Sequence, residues 1–129
     1  MMQPTRAALF DIDGTLIHGQ GSGRRAFLHA LEAMTGREID DHGFSFAGRT
    51  DLEILRELQR RNGLAESSGT ETARFVELYC ARLAEELRLI GGASTYAGVI
   101  ELLDAMNDGS WAIGLLTGNL REGARRKLE

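Results

Sequence analysis

Two short apolar runs frame the chain, and both have the pattern of buried parallel strands. The first covers residues 7–12 and ends among acidic residues and a glycine, and the second covers residues 111–117 and leads into Gly118-Asn119. Apolar residues in these runs do not alternate strictly with polar ones, which is typical of strands that are covered on both faces. We therefore predict two buried strands, one near each end of the sequence.

Elsewhere, apolar residues recur every three or four positions, which predicts helices. We expect helices over residues 23–34, 51–61, 70–89 and 99–106, the second capped by Asp51 and the third by Thr70, and a further helix from Arg121. The residues predicted to face inward are Phe27, Ala30, Leu31, Met34, Leu52, Leu55, Leu58, Ala73, Val76, Cys80, Leu83, Leu87, Val99, Leu102, Leu103 and Met106.

The order of these elements predicts the fold class and the domain organisation. Helix, strand, loop and helix follow one another at the C-terminal end, which is typical of an α/β protein with a doubly wound parallel sheet. The stretch between the two strands predicts helices alone. We expect an α/β core domain formed by residues 1–18 and 91–129, with an α-helical domain inserted at residues 19–90.

Composition narrows the class of protein further. The 129 residues are 43% hydrophobic and 26% charged, as in globular domains, and no apolar run approaches the ~20 residues of a transmembrane helix. The net charge is −4 and the arginines are interleaved with glutamates, so we expect neither a nucleic-acid partner nor a membrane partner. Cys80 is the single cysteine, which fits a reduced, cytoplasmic compartment.

The first strand leads directly into Asp11-Ile12-Asp13-Gly14-Thr15-Leu16. Carboxylates two positions apart on an extended segment point the same way, here into the crevice where α/β proteins bind ligands. One carboxylate can attack a phosphoryl group, and the other can protonate the leaving oxygen and then deprotonate a water molecule. Mg²⁺ would offset the repulsion between these acids and a phosphate. The alternative is a pair of ordinary acids that begin a turn.

The second strand ends at Thr117-Gly118-Asn119. A threonine hydroxyl and backbone N–H groups beside a glycine can hold phosphate oxygens, and the N-terminus of the following helix adds positive dipole character. Alone, this segment would be an ordinary loop between strand and helix. Together with the acidic segment it predicts a phosphate site at adjacent strand ends.

At these two segments the chain resembles the haloacid dehalogenase superfamily, with phosphoglycolate-phosphatase-like proteins as the closest likeness. Residues 11–16 resemble the first motif of that superfamily, residues 115–119 resemble its second, and the helical insert stands where many members carry an α-helical cap. The resemblance implies a partial Rossmann-like sheet. It also implies that Asp11 is the nucleophile, that Asp13 is the general acid/base, and that the Asp11 carboxylate and the Asp13 carbonyl bind Mg²⁺.

Further site residues follow from the same resemblance. Thr117 would hold the transferring phosphoryl group, and Lys127 is the candidate for the lysine of the third motif, with a solvated helix residue as the alternative. Arg49 lies in a segment that resembles a cap loop facing the active site, although exposed arginines ahead of a helix are common. The candidate substrate-binding residues are Gly14, Thr15, Arg49, Gly118 and Asn119.

The chain departs from the superfamily pattern after the second motif. No acidic motif at a strand end follows Thr117, and two strands are fewer than the about 4 to 6 of a typical sheet. We therefore expect a truncated copy of a longer protein, with reduced or no phosphatase activity and with self-association through unpaired strand edges.

The function expected from the sequence is Mg²⁺-dependent hydrolysis of a small phosphorylated metabolite through an aspartyl-phosphate. A phosphomutase of the same fold is one alternative, because the first motif does not separate the two activities. A non-catalytic fragment or interaction module is the other.

Overall fold

The computed structural model of the protein describes residues 3–129. The elements are β1 (Arg6–Phe10), β2 (Ile17–His18), α1 (Ser22–Thr35), α2 (Asp51–Arg61), α3 (Gly69–Leu89), β3 (Ser94–Thr95), α4 (Val99–Met106), β4 (Trp111–Leu115) and α5 (Arg121–Leu128). β1 pairs with β4 in parallel and β2 pairs with β3 in antiparallel fashion. The predicted α/β class with a partial parallel sheet is confirmed.

The parallel pair aligns the carboxyl ends of its two strands. The register runs from Arg6 opposite Trp111 to Phe10 opposite Leu115. One residue further on, the Leu116 N–H donates a hydrogen bond of 2.8 Å to the Phe10 carbonyl. The segments that follow the two strands therefore leave the sheet side by side, which is the arrangement that the motif spacing predicted.

The expectation that these strands are buried is wrong for the described residues. Leu9 in β1 is 64% exposed, and Ile113 in β4 is 44% exposed. Within residues 3–129, each strand of this sheet has one neighbour and one free edge. Apolar side chains in a strand stay exposed unless another element covers their face, so the apolar pattern alone did not determine burial.

The main hydrophobic cluster lies among α1, α2 and α3, in the predicted helical insert. It centres on aromatic side chains: Phe27 packs against Phe75 and Tyr79 with ring centroids 4.7 and 5.5 Å apart. Fully buried aromatic side chains contribute large apolar areas and favour such edge-on geometries. A smaller cluster, built on Ile12, Leu16, Ile17 and Ala124, lies in the predicted core.

The helix caps differ by one or two residues from the predicted ones. Thr50, and not Asp51, caps α2, and Ser68, and not Thr70, caps α3. In both helices the capping hydroxyl accepts the backbone N–H of a glutamate three residues later, whose carboxylate accepts the N–H of the cap residue. This reciprocal capping box satisfies two N–H groups of the first turn.

Two predicted helix faces are rotated relative to the observed ones. Leu52 in α2 is 38% exposed, and Ile54 takes its place in the cluster. In α3, Ala73 is exposed, while Phe75 and Tyr79 point inward together with the predicted Cys80, Leu83 and Leu87. At these positions the apolar spacing alone did not determine which side chains the neighbouring helices cover.

The helical insert is joined to the rest of the fold at its chain ends and along α5. The β2–β3 pair brings together the chain segments that enter and leave the insert, with Ile17 opposite Thr95. Helix α3 packs on α5 so closely that a Cβ on Gly123 would lie 3.2 Å from Cε1 of Tyr79. The boundaries at residues 18/19 and 90/91 stay a prediction. No helix within residues 3–129 is both long and apolar enough to span a bilayer.

Candidate active site

The segment after β1 is a tight turn built around the carbonyl of Ile12. This carbonyl accepts the N–H groups of Thr15, Leu16 and Ile17 at 3.0 to 3.2 Å, and Gly14 takes a positive φ of 76°. A positive φ favours glycine because a Cβ would be strained there. Ile12 is fully buried, whereas Asp11 and Asp13 on either side of it are exposed. The turn therefore anchors one apolar residue and presents two carboxylates.

The segment after β4 holds its polar atoms in a compact loop. The Thr117 hydroxyl accepts the backbone N–H of Asn119 at 3.1 Å and its side-chain Nδ2 at 2.7 Å. This local bonding fixes the position of the hydroxyl at the carboxyl end of β4.

The two segments and α5 meet in one hydrogen-bond network. Oδ2 of Asp13 accepts hydrogen bonds from Asn119 Nδ2 at 2.8 Å and from Lys127 Nζ at 3.0 Å. Lys127 Nζ also donates to Oδ1 of Asn119 at 2.6 Å. Asp13, Thr117, Asn119 and Lys127 therefore form a continuous network, with the Asn119 amide at its centre.

Lys127 is not a solvated helix residue. Its side chain is 9% exposed, and its Nζ would lie 3.3 Å from a Cβ on Gly23, at the start of α1. Asp13 remains 51% exposed, so its carboxylate can still meet a ligand from the solvent side. The lysine therefore projects from the last turn of α5 to a position between the sheet and the helical insert.

A cavity of about 930 Å³ lies beside this network, between the strand ends and the helical insert. Among the residues predicted for the site, the following line it: Asp11, Asp13, Gly14, Arg49, Thr117, Gly118, Asn119 and Lys127. Thr15 does not line the cavity, and its backbone N–H is bonded to Ile12. The insert contributes an apolar wall that includes Phe27, Phe46 and Ile54.

Arg49 brings a positive charge to the cavity from the insert. Its guanidinium lies 5.0 Å from the ring centroid of Phe44, a cation–π contact. No carboxylate of the described residues forms an ion pair with it. Arg24, which also lines the cavity, is by contrast neutralised by Asp41 at 2.6 Å.

Two residues that line the cavity, Asp51 and Tyr79, were not predicted as site residues from the sequence. Asp51 is 7% exposed, and its Oδ2 accepts the Leu120 N–H at 2.8 Å; burial raises the pKa of this carboxyl group. Tyr79 is 1% exposed, and burial is the main cause that raises the pKa of its hydroxyl. The sequence pattern indicated Asp51 only as a helix cap. Tyr79 lies four residues from both Phe75 and Leu83, and this spacing could have placed it on the buried face of α3.

The donor set at the cavity fits a hard cation. Asp11 and Asp13 supply carboxylate and carbonyl oxygens, and no cluster of three potential metal ligands occurs within residues 3–129. Mg²⁺ commonly takes one or two protein carboxylates and completes its shell with water and substrate phosphate. Two acids that line the cavity are compatible with that mode.

Several solved structures share this fold. A predicted phosphoglycolate phosphatase from Haemophilus somnus superposes with a TM-score of 0.61 at 18% identity, over 95% of this chain and 55% of that one. A protein from Lactobacillus plantarum, also assigned by prediction as a phosphoglycolate phosphatase, gives 0.62 at 20% identity, over 98% and 56%. CbbY from Rhodobacter sphaeroides, solved in complex with phosphate, gives 0.62 at 19% identity, over 92% and 53%.

The chain thus spans just over half the length of these structures, and identities this low establish the fold alone. No curated protein matches the sequence significantly. The sequence profile of the haloacid dehalogenase-like hydrolases, however, matches residues 5–129, which is nearly the whole chain. The resemblance seen at the two motifs is confirmed, and the chain belongs to the haloacid dehalogenase-like hydrolase family.

Proposed function

We propose that the cavity is the phosphoryl-transfer site of a Mg²⁺-dependent phosphate-monoester hydrolase that acts on a small phosphorylated metabolite. The observation that carries the proposal is the network that joins Asp13, Thr117, Asn119 and Lys127 beside Asp11. It gathers a nucleophile, an acid/base, a hydroxyl donor and a cation at one cavity edge. The phosphate in the CbbY structure and the names of the other two relatives agree with this chemistry.

In the first step, a carboxylate oxygen of Asp11 attacks the phosphorus atom and forms an aspartyl-phosphate. The bond between phosphorus and the ester oxygen breaks, and the leaving oxygen takes a proton from Asp13. Oδ2 of Asp13 already accepts two hydrogen bonds, so Oδ1 is the oxygen that carries this proton. The network therefore orients the acid before the substrate arrives.

In the second step, Asp13 accepts a proton from a water molecule, and the water oxygen attacks the phosphorus atom. The bond to Asp11 breaks, phosphate leaves, and Asp13 is again protonated. The Thr117 hydroxyl and the Lys127 ammonium group hold phosphoryl oxygens in both steps, because both lie in the network at the cavity edge. Bound Mg²⁺, held by the Asp11 carboxylate and the Asp13 carbonyl, would supply neutralisation of phosphoryl charge.

The helical insert serves in this proposal as a cap over the site. Its apolar wall excludes bulk water, which strengthens the electrostatic contacts inside the site. Arg49 offers its charge to an anionic group on the leaving part of the substrate. The substrate would be a phosphate ester small enough for a cavity of about 930 Å³.

The test is ³¹P NMR of the chain with Mg²⁺ and a panel of small phosphate monoesters. We expect a slowly growing signal of inorganic phosphate, in keeping with the reduced activity expected from the sequence, with no isomerised ester and a roughly 100-fold slower release for Asp11→Asn. Arg74→Gln, which removes a charge at an exposed position of α3 outside the cavity lining, is the control and should leave the rate unchanged. An isomerised phosphate ester as the main product would support the mutase alternative and overturn the hydrolase proposal.

A further inference from the structure

Asp51 links the helical insert to the phosphate-site loop through two hydrogen bonds in opposite directions. Its backbone N–H donates to the Gly118 carbonyl at 2.9 Å, and its side-chain Oδ2 accepts the Leu120 N–H at 2.8 Å. Asp51 is the first residue of α2, whereas Leu120 is the N-terminal cap residue of α5. Asp51 thus begins α2 in the helical insert and also bonds the cap residue of α5, which follows the sheet.

The backbones come unusually close at this contact. A Cβ on Gly118 would lie 2.5 Å from the Arg49 carbonyl oxygen and 2.9 Å from the Thr50 Cα, distances that real side chains do not adopt. Such an approach of two backbones requires glycine on one side. The insert therefore touches the loop between Thr117 and Asn119 directly, with no side chain between them.

The contact is also protected from water. Asp51 is 7% exposed, and burial is the main cause that raises the pKa of its carboxyl group. A carboxylate buried to this degree is costly unless donors satisfy it. The Leu120 N–H is one such donor, and the start of α5 supplies favourable dipole character.

The geometry points to Asp51 as a positioning residue: it fixes the segment from Gly118 to Leu120 in the conformation that binds a phosphoryl group and couples that conformation to docking of the insert. This inference rests on the proposed function, because it presumes that the loop holds phosphate. Asp51 itself need not touch the substrate. Its side chain is already bonded to the Leu120 N–H of the loop.

The positioning role and simple electrostatics predict opposite changes in phosphate affinity when Asp51 is replaced. Asp51 brings a negative charge close to an anion site, so its removal should tighten phosphate binding by simple electrostatics. If Asp51 positions the loop, its removal instead weakens phosphate binding. The loss of one charge-assisted hydrogen bond corresponds to about a tenfold loss of affinity.

The experiment compares Asp51→Ala with Glu53→Ala in the full 129-residue chain. Glu53 lies in the same first turn of α2, carries the same charge and accepts the Thr50 N–H, but its side chain is exposed. The titrant is inorganic phosphate with Mg²⁺, and ¹H–¹⁵N spectra report the amides of Gly118, Asn119 and Leu120. Asp51→Ala should shift these amides and weaken phosphate binding about tenfold, whereas Glu53→Ala should do neither within about twofold.

Equal or tighter phosphate binding by Asp51→Ala, or unshifted loop amides, would overturn the inference. Should Asp51→Ala not fold, Asp51→Asn decides: its neutral oxygen is a weaker acceptor, so positioning predicts weaker phosphate binding and electrostatics predicts tighter binding. The amide shifts do not depend on hydrolysis. Failure of the hydrolase proposal, seen as a wild-type chain without phosphate release, is therefore distinguishable from failure of the inference.

Discussion

Gly118→Ala tests how closely the helical insert docks on the loop after β4. The added Cβ would lie 2.5 Å from the Arg49 carbonyl oxygen and 2.9 Å from the Thr50 Cα, and both are backbone atoms that cannot rotate away. Gly118 has no positive φ, so the change introduces a clash and no backbone strain. Overpacking of this kind costs about 1–3 kcal/mol. If the segments separate instead, the Asp51 N–H loses its acceptor, which costs about 1–3 kcal/mol when the donor stays buried.

We therefore expect the free energy of unfolding to fall by about 1–3 kcal/mol, measured by urea denaturation followed by circular dichroism. Gly69→Ala is the matched control, because its Cβ would meet no atom within 4 Å and its φ is also not positive. That control should stay within about 0.5 kcal/mol of the parent chain. Equal midpoints for the two variants would refute the close docking of insert and loop.

Three further predictions follow from the same contacts. Lys127→Met should weaken binding of inorganic phosphate about tenfold in calorimetric titration, whereas Arg125→Ala, an exposed change on the same helix, should leave it unchanged. In a Tyr96→Phe background, absorbance near 295 nm should show that Tyr79 does not ionise at its ordinary pKa of 10.0. Burial raises the pKa of Tyr79 in the folded chain above its value in the unfolded chain. The contribution of the neutral hydroxyl to the free energy of unfolding is therefore fully present below pH 10.0 and is lost as the pH rises above that value. Sedimentation velocity should show that the average mass of the particles rises with protein concentration, as expected for self-association. Leu9→Lys, which places a charge at an exposed position of β1, should reduce that rise.

Helices α1, α2 and α3 could be predicted from spacing because each has an apolar face that packs in the main cluster. The bounds of α4 at Val99–Met106 agree with the prediction, since Gly98 and Gly109 flank the helix. The caps were predicted less well because neighbouring residues compete for the position. The signal was nevertheless present: Thr50 and Ser68 each precede a glutamate by three residues, the pattern of a capping box.

Burial of the sheet could not be predicted from its apolar strands. A pattern of residues states which side chains can be buried, whereas burial depends on the elements that cover them. Leu9 and Leu116 are 64% and 67% exposed, although both lie in runs that have the composition of buried strands.

The site was predictable to the extent that motifs mark strand ends. Asp11 and Thr117 were placed at one cavity edge because parallel strands align their carboxyl ends. The bond from Lys127 to Asp13 spans 114 positions, and the spacing within either segment does not specify it. The role of Asp51 depends on how the insert docks, which only the assembled fold shows.

The most direct test of the central claim is ¹⁹F NMR of the 129-residue chain with Mg²⁺ and beryllofluoride, a mimic of an aspartyl-phosphate. The account predicts bound ¹⁹F resonances that depend on Mg²⁺ and disappear in Asp11→Asn. A carboxylate oxygen of Asp11 would be the protein ligand of the beryllium atom. Resonances that persist in Asp11→Asn, or their absence from the unsubstituted chain, would contradict the assignment of Asp11 as the phosphoryl acceptor.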